Sequence, residues 1–160
     1  MSENLEMVKA VAHRLGDLRE HVVFLGGAVV GLLTSDSAVG EARPTKDVDL
    51  IVDIASRAEY ADLETKLRAA GFKNDLSEDA PICRWLSGDV KVDVMPTDPA
   101  LLGFGNRWYA QAVNHAETRK VGKWRIRVVS APFFLATKCS VSGSARDLSG
   151  GRLAQAAEIG

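Results

Sequence analysis

Apolar and polar positions recur with different periods along this chain, and each change of period predicts a new element. Over residues 5–15, apolar side chains return every three or four positions, which predicts an amphipathic helix. The apolar run Val22–Leu25 predicts a buried strand, and Gly26-Gly27 ends it. Residues 28–33 are apolar again and predict a helix after the glycine turn.

A second strand carries two acidic residues. Polar and apolar residues alternate through Asp47–Leu50 of the predicted strand Asp47–Val52, and successive side chains of a strand point to opposite faces. Asp47 and Asp49 therefore share one face, opposite the aliphatic residues. Two neighbouring carboxylates repel each other, and burying them without a cation is costly. Hard oxygen ligands at this spacing suit Mg²⁺ or Mn²⁺ and phosphate chemistry.

The rest of the chain shows the same kinds of signal. A capping box, two turn sequences and a proline-containing helix start mark the remaining elements. The predicted elements are a helix from Ser56 to Gly71, a hairpin around Ser87–Asp89, a short helix within residues 101–115, a hairpin around Gly122-Lys123, and a helix starting at Ser130.

Two further aspartates lie on predicted strands. In the first hairpin, Asp93 lies on the polar face of its strand, opposite a row of valines. Spacing alone fits a solvated edge residue and a site residue about equally well. Asp53 shares the face of Asp47 and Asp49 but comes at the end of the strand, so we interpret it as a bystander.

Composition limits the function classes. The chain has 160 residues, 46% of them hydrophobic and 26% charged, which is typical of one soluble globular domain. No apolar run is long enough to span a membrane, and the polar, acidic N-terminus is unlike a secretory signal. Cys83 and Cys139 form neither a disulfide framework nor a metal site, so we expect a cytoplasmic protein with reduced thiols.

The formal net charge is -1, so a nucleic-acid contact would need a local patch. One cluster of cations occurs in the second hairpin. Its members are Arg119, Lys120, Lys123, Arg125 and Arg127. Lys123, Arg125 and Arg127 alternate onto one predicted face, and Arg119 and Lys120 complete the cluster. A solvated strand face is one interpretation, and an RNA-backbone contact is the other.

The glycine turn and the acidic strand together resemble a known family. Gly26-Gly27 followed by Asp47–Leu50 resembles the signature of the nucleotidyltransferase superfamily that includes DNA polymerase beta. The stretch Arg43–Asp49 is similar to AbiEii-type nucleotidyltransferases, the toxins of bacterial type IV toxin–antitoxin and abortive-infection systems. The similarity continues through Asp93 to the segment 131–138.

This resemblance implies an α/β (α+β) fold, with a small mixed, largely antiparallel sheet flanked by helices in residues 1–138. It also implies transfer of a nucleoside monophosphate from a nucleoside triphosphate to an acceptor hydroxyl. A tRNA 3′ end is the acceptor that it suggests, with a toxin role and a cognate antitoxin as partner.

The resemblance also assigns roles to residues. It implies that Asp47, Asp49 and Asp93 hold two Mg²⁺ or Mn²⁺ ions, and that Asp93 also accepts the proton. Thr45 would orient a carboxylate or phosphate oxygen, and Lys138 would also act in catalysis. The implied nucleotide-binding residues are Gly26, Gly27, Arg43, Thr45, Lys46 and Lys138.

After Lys138 the resemblance ends. Residues 139–160 are rich in Ser, Gly and Ala, whereas family members continue into a charged helical region with another catalytic aspartate. Asp147 does not lie in a matching context. We therefore expect a shortened or replaced C-terminal region, which would expose apolar surface and favour self-association.

Two alternatives stay open from the sequence. One is an enzyme that modifies a small acceptor, as aminoglycoside adenylyltransferases do, or a partner protein. The other is a catalytically impaired relative that binds a nucleotide or an antitoxin without transfer.

Overall fold

The computed structural model describes residues 3–33 and 44–137. Seven strands form one sheet, and the first hairpin and the acidic strand occur where the sequence predicts them. The strands are β1 Val22–Leu25, β2 Asp47–Val52, β3 Lys73–Asn74, β4 Arg84–Ser87, β5 Val90–Pro96, β6 Glu117–Val121 and β7 Trp124–Val128. Their order across the sheet is β3-β4-β5-β2-β1-β7-β6.

The sheet is mixed and mostly antiparallel. β1 pairs antiparallel with β2, and the pairs β3–β4, β4–β5 and β6–β7 are antiparallel as well. The parallel pairs β2–β5 and β1–β7 join these units. The predicted α/β fold class, with a largely antiparallel sheet flanked by helices, is confirmed.

Helices lie on both faces of this sheet. The α-helices are α1 Glu3–Leu15, α2 Val30–Leu33, α3 Arg57–Ala69, α4 Tyr109–Asn114 and α5, the helical residues 131–137. Short 3₁₀ helices cover Gly16–His21, Gly27–Val29 and Pro99–Leu101. Tyr109 of α4 donates its hydroxyl to Met95 Sδ, so α4 lies on the sheet face that carries Asp49 and Asp93. The Trp124 ring contacts His13 of α1, which places α1 on the opposite face.

The core explains this layering. The face of β1, β2 and β5 that points away from α4 is formed by aliphatic and aromatic residues, because β1 is apolar throughout and the acidic residues of β2 and β5 lie on the opposite face. These side chains are buried together with the apolar stripe of α1 and two leucines of α3. The group includes Val22, Phe24, Val48, Leu50, Val92, Val94, Val8, Val11, Leu15, Leu63 and Leu67.

Local signals set several element boundaries. Ser56 Oγ accepts the backbone N–H of Glu59 at 3.2 Å and begins α3, as the capping box predicts. The Glu59 carboxylate accepts from Ala55 N at 3.4 Å. The helix predicted at residues 28–33 is shorter than expected, because its first turn is 3₁₀ and only Val30–Leu33 is α-helical.

In the described part of the chain, no helix has the length and apolarity needed to cross a bilayer.

Candidate metal centre

Three aspartates meet on the sheet face that carries α4. The parallel register of β2 and β5 places Asp49 beside Asp93, and Asp47 lies two residues before Asp49 on the same face. One carboxylate oxygen from each of the three lies within 4.8 Å of the other two. The structure thus brings together the three carboxylates that the sequence proposed as metal ligands.

The glycine turn lies directly against this cluster. Gly26 has a φ of 83°, and a Cβ there would lie 2.2 Å from Asp49 Oδ2. A Cβ on Gly27 would lie 3.2 Å from Thr45 Cγ2. The family resemblance implies that these glycines bind a triphosphate. The structure adds that Gly26 is needed for Asp49 to fit beside the turn.

Thr45 fixes the start of the acidic strand. Its hydroxyl oxygen accepts the backbone N–H of Asp47 at 3.1 Å. The same hydroxyl lies 2.9 Å from Asp47 Oδ1, where its O–H can donate to this carboxylate and orient it. The backbone N–H of Thr45 donates to Asn4 Oδ1 at 3.1 Å. Asn4 is only 3% exposed, so α1 anchors the acidic strand through a buried amide.

The sequence analysis did not identify Asn4 as a site residue. The signal that could have found it is its spacing. Asn4 lies four residues before Val8, which puts a polar side chain on the buried stripe of α1. A buried amide needs a hydrogen-bond partner, and here the partner is the segment leading into β2.

Arg84 is a second residue that the sequence analysis missed. Its Nε donates to Asp93 Oδ1 at 2.8 Å, and its Nη2 donates to Asp93 Oδ2 at 3.0 Å. The same Nη2 lies 3.7 Å from Asp47 Oδ2. The hairpin could have indicated it, because pairing Ser87 with Val90 places Arg84 opposite Asp93.

The electrostatics of the cluster favour a cation. The pKa of Asp49 is raised to about 7, chiefly by burial and also by the charges of Asp47 and Asp93, while the charge of Arg84 lowers it. Carboxylate oxygens are hard ligands of the kind that Mg²⁺ and Mn²⁺ prefer. The donor set therefore fits a divalent metal ion, whose identity and number stay predictions.

The structure describes the predicted site residue Lys46 and the bystander Asp53, but not Arg43 or Lys138. Lys46 is exposed and precedes Asp47. Arg43, Lys138 and the predicted C-terminal tail 139–160 lie outside the described residues. Asp53 accepts the Thr97 hydroxyl at 3.2 Å and lines a separate cleft with His21 and Lys66.

The register of the second hairpin places Arg125 and Arg127 on one face together with Lys120, and Lys123 lies in the turn. Arg119 lies on the opposite face, because it pairs with Ile126. Several of these cations have partners of their own. Arg119 pairs with Glu117, Arg127 donates to Val113 O at 2.8 Å, and Lys123 lies 4.8 Å from the Trp124 ring centroid. An RNA contact by these residues stays a prediction.

Comparison with known proteins supports the fold. No family model matches the chain, and no curated protein matches it. The chain is similar to the solved structure of an antigenic nucleotidyltransferase-like protein from Paracoccidioides brasiliensis, with a TM-score of 0.59 and 21% identity. The similarity covers 98% of this chain and 72% of that one. The chain therefore has a nucleotidyltransferase-like fold, and membership of the AbiEii type stays a prediction.

Proposed function

We propose that this protein is a metal-dependent nucleotidyltransferase. It would transfer a nucleoside monophosphate from a nucleoside triphosphate to an acceptor hydroxyl and release pyrophosphate. The observation that carries the proposal is the convergence of Asp47, Asp49 and Asp93 beside the Gly26 turn. The nucleotidyltransferase-like fold supports the same reaction class.

The three aspartates would hold the metal. Bound Mg²⁺ or Mn²⁺, in two ions by family analogy, would lower the pKa of the attacking hydroxyl and offset phosphate charge. Thr45 keeps the Asp47 carboxylate oriented, and each Asp93 oxygen accepts one hydrogen bond from Arg84. A carboxylate oxygen has a second lone pair, so Asp93 retains the capacity to accept the proton of the attacking hydroxyl.

Nucleotide binding is proposed for the neighbouring groups. Gly26 and Gly27 would let the triphosphate approach the backbone closely. Lys46 is exposed beside Asp47, where its charge would offset that of the phosphates. Arg43 and Lys138 keep the phosphate-binding role, and Lys138 its catalytic role, on the basis of the family resemblance.

We propose that the acceptor is a tRNA 3′ end, because the motif around Asp47 resembles AbiEii-type enzymes. By the same resemblance, we propose that the protein is a toxin and that an antitoxin neutralises it. A small-molecule or protein acceptor is the second candidate. One observation favours it: Arg119 lies on the opposite face from Lys120 and Arg125, and Arg119 and Arg127 have partners of their own, so the five cations do not form a single RNA-binding surface. The antitoxin and self-association stay proposals.

The test is transfer of label from four α-labelled nucleoside triphosphates with Mg²⁺ or Mn²⁺. The acceptors are total bacterial RNA, aminoglycosides and the protein itself. We expect label on tRNA-sized RNA with the wild type and with Asp53→Asn, the matched control, and none with Asp49→Asn. Label only on an aminoglycoside or on protein would replace the tRNA proposal. Metal-dependent nucleotide binding without label on any acceptor would instead indicate a non-catalytic binding protein.

A further inference from the structure

Arg84 introduces a fixed positive charge into the aspartate cluster. It contacts both oxygens of Asp93, and its Nη2 lies 3.7 Å from Asp47 Oδ2. Its side chain is 18% exposed and that of Asp93 is 12% exposed, so water screens this pair only partly. A bidentate guanidinium–carboxylate pair of this kind is strong and fixes its geometry.

The position of Arg84 follows from the sheet. β4 and β5 pair so that Arg84 and Asp93 are direct cross-strand neighbours on the same face. The backbone pairing of two strands, rather than a mobile loop, therefore sets where the guanidinium lies. Its charge is permanent under ordinary conditions because arginine stays protonated.

Arg84 and a divalent ion would act on the same carboxylates. The carboxylates repel one another, and a guanidinium in contact with Asp93 relieves part of that repulsion. The same guanidinium would repel any second cation held by Asp93 and Asp47, and this repulsion is large where screening is weak.

We propose that Arg84 is an internal counter-cation of the aspartate cluster, which stabilises the three carboxylates and lowers their affinity for a free divalent ion. This inference rests on the proposed metal centre. The inference adds to the proposed centre a residue, Arg84, that sets how tightly the centre binds an ion. Removing the charge of Arg84 should then strengthen ion binding while it destabilises the ion-free fold.

A competing role makes the opposite prediction. If Arg84 serves mainly to orient Asp93 for the metal, its loss should weaken ion binding, because Asp93 would no longer be held in place. The two roles are separable by charge, since lysine keeps the positive charge but lacks the planar fork that grips both carboxylate oxygens.

The experiment is Mn²⁺ binding to the EDTA-treated, dialysed protein, followed by the electron paramagnetic resonance signal of free Mn²⁺. The variants are Arg84→Met and Arg84→Lys, with Arg68→Met as a matched control. Arg68 also pairs with a carboxylate, Glu64, and its guanidinium lies 5.4 Å from the Trp85 ring centroid on the other face of β4. Circular dichroism verifies that each variant is folded.

We expect Arg84→Met to bind Mn²⁺ about tenfold more tightly than the wild type. Arg84→Lys should stay within about threefold of the wild type because it keeps the charge, and Arg68→Met should be unchanged. In the absence of Mn²⁺, Arg84→Met should melt at a lower temperature than Arg84→Lys. Equal or weaker Mn²⁺ binding by a folded Arg84→Met would overturn the proposal while leaving the metal centre intact. Absence of Mn²⁺ binding by every protein would overturn both.

A second measurement does not need Arg84→Met, in case that variant does not fold. The Arg84 Nε–H signal in a ¹⁵N spectrum is identified by its loss in Arg84→Lys. We expect its exchange with water to become faster as Mg²⁺ saturates the protein, because the ion weakens the contact with Asp93. Unchanged or slower exchange at saturation would contradict competition between the two cations.

Discussion

Two regions of the sheet carry rows of charged residues, and they differ in how those charges are arranged. On β2 and β5, Asp47, Asp49 and Asp93 come within 4.8 Å of one another. On β6 and β7, the register separates Lys120 and Arg125 from Arg119. Arg119 pairs with Glu117 of its own strand, and Arg127 donates to Val113 O of α4. Alternation along one strand predicts which of its side chains share a face. Whether charged side chains of different strands come together depends on how those strands pair.

The largest loss of stability and activity is expected from a substitution in the glycine turn beside the aspartates. Gly26→Ala would place a Cβ 2.2 Å from Asp49 Oδ2 at a φ of 83°. We expect a loss of stability of about 2 kcal/mol and a large loss of transfer activity, because the Asp49 carboxylate must move. Urea denaturation and the labelled transfer assay measure the two effects.

Gly27→Ala is the matched control for that change. Its Cβ would lie 3.2 Å from Thr45 Cγ2, a contact that a small shift relieves, and Gly27 has no positive φ. We expect it to lose less than half as much stability as Gly26→Ala. Equal losses in the two variants would show that the contact with Asp49 is not the reason for glycine at position 26.

The next effect concerns the anchor between α1 and the acidic strand. Asn4→Ala removes the acceptor for the Thr45 N–H in a site that is only 3% exposed. Leaving this donor unpaired should cost about 1–3 kcal/mol and loosen Asp47. Denaturation measures the cost, and metal affinity should fall together with stability. A variant that loses stability but keeps its metal affinity would show that Asn4 does not influence the position of Asp47.

A separate effect is expected in the pH dependence of stability. The pKa of Asp49 is raised from 3.8 to about 7, chiefly by burial. Between these values the folded state holds a proton that the unfolded state has released, so in EDTA the free energy of unfolding should fall as pH rises from about 4 to 7. Asp49→Asn should lack this component, and denaturation curves at several pH values measure the difference. If the two proteins show the same pH dependence, the burial of Asp49 does not affect its protonation.

The smallest effects are expected in the β6–β7 hairpin. Changing Lys120 and Arg125 to alanine should alter stability by less than about 0.5 kcal/mol, because both are exposed. Arg127→Ala should cost about 1 kcal/mol, since its guanidinium donates to Val113 O at the end of α4. If the hairpin contacts RNA, the Lys120 and Arg125 changes should each reduce the salt dependence of RNA binding by about one ion. An unchanged salt dependence would exclude these two residues from the contact.

Much of the fold could be predicted from local patterns. Alternation placed Asp47 and Asp49 on one face, the capping box placed Ser56 at the start of α3, and the turn sequences placed the first hairpin. These features depend on residues close together in the chain, where the periods of helices and strands apply directly.

The parts that could not be predicted depend on contacts between distant segments. The parallel register of β2 and β5 decides that Asp93 lies beside Asp49. The amide of Asn4 reaches the backbone of Thr45 across 41 residues. Arg84 approaches Asp47 only because β5 lies between their two strands. Spacing indicates that Asn4 is buried and that Arg84 lies opposite Asp93, but it does not specify which distant segment each of them contacts.

The measurement that tests the central claim most directly is anomalous diffraction from crystals of the protein soaked with Mn²⁺ and a nucleoside triphosphate. The account predicts an anomalous peak about 2–2.6 Å from carboxylate oxygens of Asp47, Asp49 and Asp93 together. A Mn²⁺ peak bound elsewhere, with these three carboxylates uncoordinated, would contradict the assignment of this cluster as the metal centre.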